Sequence, residues 1–154
     1  MPEAPALVWD DRMQGMQSME REAVGDVTVL RADGHWAYHL AVVVDDAAQG
    51  ITDVVRGADL LSSTGAHVAL QQALNVATPC YAHVPVMQNN QGQKLSKQTK
   101  AAPVEVKNAS QVLLKVFEHL QVDGIAQEGP DQPEVMLNKA QSEWSRRWKK
   151  EGEA

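Results

Sequence analysis

The sequence predicts an α/β fold in which a parallel sheet is followed by a small helical subdomain. Two segments, residues 51–56 and 81–87, have the β-branched and apolar composition of buried strands. The segment between them has the apolar spacing of a helix over about residues 67–74. Strand, helix and strand in this order are typical of a βαβ unit, whose two strands run parallel.

The N-terminal third contains weaker signals. Residues 1–25 are polar and rich in Met and Gln, so we expect an N-terminal segment with weak order. Residues 27–30 have strand character and precede the turn signal Ala32-Asp33-Gly34. Residues 36–44 form a long apolar run that fits either a buried strand or the core of a helix, which periodicity alone does not separate. We expect Asp45-Asp46 to end this run.

Local signals bound the elements of the βαβ unit. Ser62-Ser63-Thr64 is expected to cap the helix, because short hydroxyl side chains accept hydrogen bonds from the first free amides. Thr78-Pro79 should break it. Pro85 lies within the second strand, which predicts a position near a sheet edge or a bulge.

The pattern changes beyond Pro103. Residues 110–120 carry an amphipathic helical stripe, residues 124–133 form a loop, and residues 133–150 predict a second helix. We place a boundary near residues 101–107. The predicted parts are therefore the N-terminal segment 1–25, a sheet domain over 26–102 and a helical subdomain over 103–154.

Composition limits the functional classes. The chain has 154 residues and a net charge of −6, which argues against a broad nucleic-acid surface. Residues 146–150 are locally basic, but a solvated helix end favoured by the helix dipole is the preferred interpretation. The chain has no apolar run of about 18 residues, so no membrane span is expected. The N-terminus lacks the pattern of a signal peptide. The single cysteine, Cys80, cannot form an internal disulfide. We expect a cytoplasmic protein.

One short motif is the most informative indication of function. Lys94-Leu95-Ser96-Lys97-Gln98 follows a polar turn at residues 89–93 and resembles the KMSKS loop of class I aminoacyl-tRNA synthetases. Two blocks, residues 38–46 and 49–61, resemble glutamyl-tRNA synthetases and, more closely, glutamyl-Q tRNA(Asp) synthetases. The resemblance covers residues 10–98 best. It implies the second half of a class I synthetase Rossmann-type parallel sheet, with the helical subdomain after it.

The resemblance also implies site residues. It assigns Tyr38 and Arg56 to glutamate, Lys97 and Lys94 to catalysis, and Lys97 with Ser96 to ATP. The chemistry is consistent, since a guanidinium suits a carboxylate and an ammonium on a loop stabilises charge that develops on phosphates. From the residues alone, the preferred interpretation is a surface residue for Arg56, a core residue for Tyr38 and a solvated turn for the two lysines; the resemblance reverses this preference for Arg56 and Tyr38.

Metal sites are weakly indicated. Asp45, Asp46, Asp53 and Asp59 could form a Mg²⁺ cluster, but ends of strands or helix caps are the preferred interpretation. The family implies ATP with Mg²⁺, most of whose ligands the phosphates would supply. The histidines at positions 39, 67 and 83 lack zinc-type spacing, and we expect His83 to be structural. The zinc site of the family is absent from this chain.

The match begins within the family at about Asp10, without a HIGH-type signature. The chain thus resembles the C-terminal half of a synthetase, with Gly65-Ala66 where the family usually has Pro-Arg. The implied partners are glutamate, ATP, tRNA(Asp) and the missing N-terminal half. We expect little activation activity from the chain alone. The alternatives are a non-catalytic remnant that binds nucleotide, RNA or a partner protein, and a truncation product without a separate role.

Overall fold

A computed structural model describes residues 5–97, 99–125 and 132–148. The chain forms two compact units, one ending at Val84 and the other beginning at Pro85. This division comes earlier than the boundary predicted near residues 101–107. The polar turn and the lysine-containing motif therefore belong to the second unit and not to the sheet unit.

The first unit contains a sheet of four strands: β1 (Leu7–Asp11), β2 (Gly15–Met19), β3 (Asp53–Gly57) and β4 (Cys80–Val84). Their spatial order is β2-β1-β4-β3. β4 runs parallel to both β1 and β3, and β2 is an antiparallel edge strand. The predicted α/β class with a parallel sheet is confirmed.

The expectation of weak order in residues 1–25 is wrong for the part of that segment that the structure describes. β1 buries Leu7, Trp9 and Asp11 and exposes the residues between them, as expected for a strand with one buried face. It pairs with β2 over five residues. The polar composition concealed a period of two that is only five residues long.

The strand predicted at residues 27–30 is also wrong. A single antiparallel bridge joins Leu30 to Trp36 around the turn that contains Gly34. Both side chains are largely exposed. Among the described residues, no strand pairs with this segment beyond that single bridge, so the segment remains a short turn.

Three helices accompany the sheet: α1 (Arg21–Val24), α2 (Tyr38–Gln49) and α3 (Leu61–Ala73). The ambiguous run at residues 36–44 is therefore helical from Tyr38 onward. Asp45 and Asp46 do not end it. α2 continues to Gln49, and Gly50 follows in the left-handed conformation (φ 68°) that glycine adopts readily after a helix.

α3 begins earlier than predicted, directly after a 3-10 turn at Ala58–Leu60. Ser62, Ser63 and Thr64 therefore lie inside its first turn rather than at its cap. Ser63 Oγ donates a hydrogen bond to the carbonyl of Leu60. The buried face of α3 packs against the sheet, where Val68 joins a core cluster containing Leu7, Trp9 and Tyr81.

The second unit contains the two predicted helices, α4 (Ala109–His119) and α5 (Pro133–Trp148). They pack around a core formed by Phe117, Val122, Ile125, Met136 and Ala140. Most of the predicted loop at 124–133, and the basic positions 149 and 150, lie outside the described residues. In the part of the chain that the structure covers, no helix is long and apolar enough to cross a membrane.

Candidate functional site

A cleft of about 350 Å³ lies in the first unit and is lined by residues of β3, α2 and α3. Parallel α/β sheets commonly bind ligands at the carboxyl ends of their strands. Arg56 is the fourth of the five residues of β3, so its side chain lies at that end. The cleft is lined by Tyr38, Val42, Asp46, Ile51, Asp53, Val54, Val55, Arg56, Leu60, His67 and Tyr81.

The Arg56 guanidinium is held on several sides. Its Nε–H donates to His83 Nε2 at 3.0 Å, and Nη2 donates to Thr64 Oγ1 at 2.9 Å. Nη2 also lies 3.5 Å from the carbonyl oxygen of Leu60. The guanidinium carbon sits 5.5 Å from the centre of the Tyr81 ring, within the range of a cation–π contact. Arg56 is thus fixed in one orientation.

Behind Arg56 lies a buried pair, His83 and Asp11. His83 Nδ1 and Asp11 Oδ2 form a short hydrogen bond, and neither side chain is exposed to solvent. Asp11 Oδ1 accepts the backbone N–H groups of Met13, Gln14 and His83. Burial favours the neutral acid, but the hydrogen bonds from His83 and these amides outweigh it and lower the pKa of Asp11. The full burial agrees with the structural role expected for His83.

On its other side, Arg56 contacts a second histidine, His67, which in turn contacts a third, His39. Nη1 lies 3.3 Å from His67 Nδ1, and His67 Nε2 lies 2.9 Å from His39 Nδ1. Burial, and then the positive charge of Arg56, lower the pKa of His67 to about 4. His67 is therefore neutral at pH 7. The consistent arrangement has Nδ1 accepting from Arg56 and Nε2–H donating to His39.

Tyr38 shares the cleft with Arg56. It is the first residue of α2 and is 62% exposed. Its ring contacts His39 and His67, with centroids 5.6 and 6.3 Å apart. The structure therefore places in one cleft the two residues for which the family resemblance implied glutamate binding. The exposure of Tyr38 excludes the alternative that it is a core residue.

The other predicted site residues lie in the second unit. Gln88 and Lys94 form an antiparallel bridge around the polar turn, and Asn89 Oδ1 closes that turn by accepting the amides of Gln91 and Gln93. Ser96 follows, and its amide donates to Thr99 Oγ1 at 2.9 Å. Lys94 and Lys97 are both exposed. These contacts give the loop a defined backbone with its lysines at the surface.

The aspartates considered for Mg²⁺ do not form a cluster. Asp53 forms an ion pair with Arg12 at 3.0 Å, whereas Asp45 and Asp46 lie within α2. Within residues 5–97, 99–125 and 132–148, no group of three or more His, Cys, Asp or Glu side chains could hold a metal ion.

Sequence reasoning missed the residues that surround Arg56: Asp11, Thr64 and the contact of His67 with His39. One signal was available. Thr64 and His67 are three residues apart, which places them on the same face of a helix, and both are buried. Two polar residues on the buried face of a helix next to a strand ending in arginine predict a partner for that arginine. Asp11 could not be recognised in the same way, because it is the last residue of β1, a strand that the sequence did not predict.

Comparison with known proteins identifies a family. Residues 1–150 match the model for the catalytic domain of class I tRNA synthetases (E and Q). The match covers nearly all of the 154 residues.

The curated relatives that match this chain include glutamyl-Q tRNA(Asp) synthetases. The chain is 48% identical over 130 residues to a glutamyl-Q tRNA(Asp) synthetase from Neisseria meningitidis, covering 83% of this chain and 42% of the relative. It is 60% identical over 99 residues to that of Aromatoleum aromaticum, covering 64% and 31%. The chain thus spans less than half the length of these relatives.

Solved structures similar to this chain come from the same family. A glutamate-tRNA synthetase from Elizabethkingia anophelis is 32% identical and superposes with a TM-score of 0.56, covering 64% of this chain and 20% of that one. A glutamate tRNA ligase from Elizabethkingia meningosepticum, solved in complex with its amino acid, matches equally well.

Proposed function

Because the chain belongs to the class I tRNA synthetases (E and Q), through their catalytic domain, we propose that it is part of a glutamyl-Q tRNA(Asp) synthetase-like ligase. In this proposal the first unit binds glutamate and the loop of the second unit binds ATP. The ligase joins glutamate to tRNA after activating it with ATP.

The observation that carries the proposal is the set of contacts made by the Arg56 guanidinium. Each contact described for its guanidinium is to a neutral group: an imidazole, a hydroxyl or a carbonyl. Its positive charge is therefore not cancelled by a carboxylate in direct contact, although its orientation is fixed. A guanidinium that is fixed in a cleft, with no carboxylate among its described contacts, is suited to a carboxylate ligand. Tyr38, exposed in the same cleft, would complete the contact to glutamate.

Activation consists of an attack on ATP. An oxygen of the α-carboxylate of glutamate forms a bond to the α-phosphorus, and the bond from that phosphorus to the bridging oxygen of the β-phosphate breaks. Pyrophosphate leaves with the electron pair, so negative charge grows on the phosphates. The ammonium groups of Lys97 and Lys94 would stabilise that charge, and Ser96 would contact ATP. Mg²⁺ would be held chiefly by the phosphates.

Two finer points belong to the proposal. The tRNA substrate is tRNA(Asp), as the names of the relatives suggest. The 154 residues by themselves turn over little ATP, because more than half of each of these relatives has no counterpart in them. An N-terminal half, as a partner, would supply the remaining donors around the reacting phosphate.

The test is a calorimetric titration of the chain with L-glutamate, using L-glutamine and L-aspartate as controls. We expect glutamate to bind more tightly than either control. The Arg56→Lys variant should lose this preference, because an ammonium cannot keep the contacts of the guanidinium to His83 and Thr64 while facing the ligand. The proposal fails if wild-type chain binds glutamate no more tightly than glutamine.

Tyr38→Phe provides the matched comparison. Tyr38 is exposed, so loss of its hydroxyl should leave the thermal midpoint of unfolding unchanged while it weakens glutamate binding. Equal glutamate binding by wild type and Tyr38→Phe would remove Tyr38 from the proposed site.

A further inference from the structure

We propose that the buried pair Asp11–His83 is a positioning device for Arg56: it fixes the rotation of the guanidinium so that Nη1 is the nitrogen presented to a ligand. The effect of this device on glutamate rests on the proposed function. Its effect on the orientation of Arg56 does not, and is tested separately.

The protonation of the pair follows from its contacts. Asp11 accepts three backbone amides and the His83 ring, and its low pKa keeps it ionised. A carboxylate has no hydrogen to donate, so the proton between them lies on His83 Nδ1. His83 Nε2 is then unprotonated and accepts the Arg56 Nε–H at 3.0 Å. Asp11 thus selects the only neutral tautomer that can hold Arg56.

Neither member of the pair can contact a ligand in the cleft. His83 is 0% and Asp11 is 1% exposed, and neither lines the cleft. Asp11 and His83 can therefore affect a ligand only through their hold on Arg56. They come from adjacent strands, β4 and β1, whereas Arg56 is on β3. The rigid sheet therefore sets the distance between the pair and the guanidinium.

The guanidinium nitrogens divide into two groups. Nε and Nη2 have partners at 3.0 and 2.9 Å inside the protein, namely His83 and Thr64. The contact of Nη1 is longer, 3.3 Å to His67 Nδ1, and His67 itself lines the cleft. An incoming carboxylate can therefore gain a short hydrogen bond at Nη1 without breaking those of Nε and Nη2.

Two substitutions separate positioning from simple packing. In His83→Gln, the side-chain oxygen can occupy the place of Nε2 and accept from Arg56, but the link to Asp11 is lost. In His83→Asn, the shorter amide can donate to Asp11 in place of Nδ1, but it does not reach the Arg56 Nε–H, which loses its acceptor. Both variants remove one buried hydrogen bond, so both should lower stability. Only His83→Asn should release Arg56.

The experiment is nitrogen-15 NMR of the whole chain, which reports the tautomer of His83 and the exchange of the Arg56 Nε–H with water. In wild type we expect protonated Nδ1 and unprotonated Nε2, and an Arg56 Nε–H that exchanges at least about tenfold more slowly than that of exposed arginines such as Arg12. A wild-type His83 protonated at Nε2, or fast exchange at Arg56, overturns the proposal without any variant.

The exchange of the Arg56 Nε–H in the variants then shows which contact holds the guanidinium. Slow exchange should persist in His83→Gln and be lost in His83→Asn. It should also be lost in Asp11→Asn, because an amide donating to Nδ1 moves the His83 proton to Nε2, opposite the Arg56 Nε–H. Slow exchange in all folded variants contradicts the proposal.

A glutamate titration of the same samples separates the two claims. Where wild type binds glutamate, His83→Asn should weaken binding by about tenfold and His83→Gln by less. If wild type does not bind glutamate but the exchange pattern holds, the proposed function fails and the positioning of Arg56 stands.

Discussion

Thr64 Oγ1 lies 2.9 Å from Arg56 Nη2, and this contact joins the first turn of α3 to the end of β3. The same hydroxyl lies 3.2 Å from His83 Nε2. Thr64 is fully buried, so no water competes for these contacts. One hydroxyl therefore helps to hold both the arginine and the histidine behind it.

Replacing Thr64 with valine keeps the shape of the side chain and removes the hydroxyl. Because Arg56 then loses a buried acceptor, the free energy of unfolding should fall by about 1–3 kcal/mol. Thr64→Ser is the matched control, since it keeps the hydroxyl and loses one methyl group. Urea unfolding followed by the amide signals of β1 and β4 measures both. Equal losses in the two variants would assign the effect to packing and not to the hydrogen bond.

His67 predicts a specific pH dependence of stability. Its pKa is about 4 in the folded chain against 6.5 for the ordinary side chain, so the unfolded chain binds the additional proton between these values. The stabilisation is complete above pH 6.5 and is lost as the pH falls towards 4. The charged and titratable groups that face His67 are Arg56, His39, His83 and Tyr38. Protonated His67 would repel Arg56.

The check compares wild type with His67→Gln, which lacks the titrating ring. Between pH 7 and pH 4, wild type should lose about 3 kcal/mol more of its free energy of unfolding than the variant. Asp11, whose pKa is lowered, adds a loss in the same direction at lower pH, and this loss is common to both proteins. Parallel stability curves for the two proteins from pH 7 to 4 would contradict the assigned state of His67.

Lys97 should matter for ATP and not for folding. It is exposed, so Lys97→Gln should change the free energy of unfolding by less than about 0.5 kcal/mol. Binding of ATP with Mg²⁺, measured by calorimetry, should weaken because a phosphate loses its ammonium partner. Lys100→Gln, another exposed lysine of the same turn, is the matched control. If both variants weaken ATP binding equally, the effect reflects general charge and not a role of Lys97.

The ordered N-terminal strand makes a further prediction. Leu7 is 0% exposed and its neighbour Val8 is 54% exposed. Leu7→Ala should therefore lower the free energy of unfolding by about 2–5 kcal/mol, as for other buried leucines. Val8→Ala should change it by about 0.5 kcal/mol or less. Similar small effects at both positions would restore the original expectation of weak order in this segment.

The sequence predicted β3 and β4 because their segments are rich in β-branched and apolar residues, and it predicted both C-terminal helices because these are long and carry an apolar stripe. It did not predict β1, whose five residues are flanked by polar sequence, and it placed a strand at residues 27–30 that finds no partner strand. At the site, a family motif pointed to Arg56 and Tyr38. It did not reveal Asp11 or Thr64, because their importance comes from contacts across 72 and 8 residues of chain that only the folded sheet creates.

Binding of a stable glutamyl-adenylate mimic, adenosine carrying glutamate through a 5′-sulfamoyl group, tests the central claim most directly. The account predicts that the chain binds this compound more tightly than the aspartyl version, and that Arg56→Lys and Lys97→Gln each weaken binding. Equal affinity for the glutamyl and aspartyl compounds, with neither substitution having an effect, would contradict it.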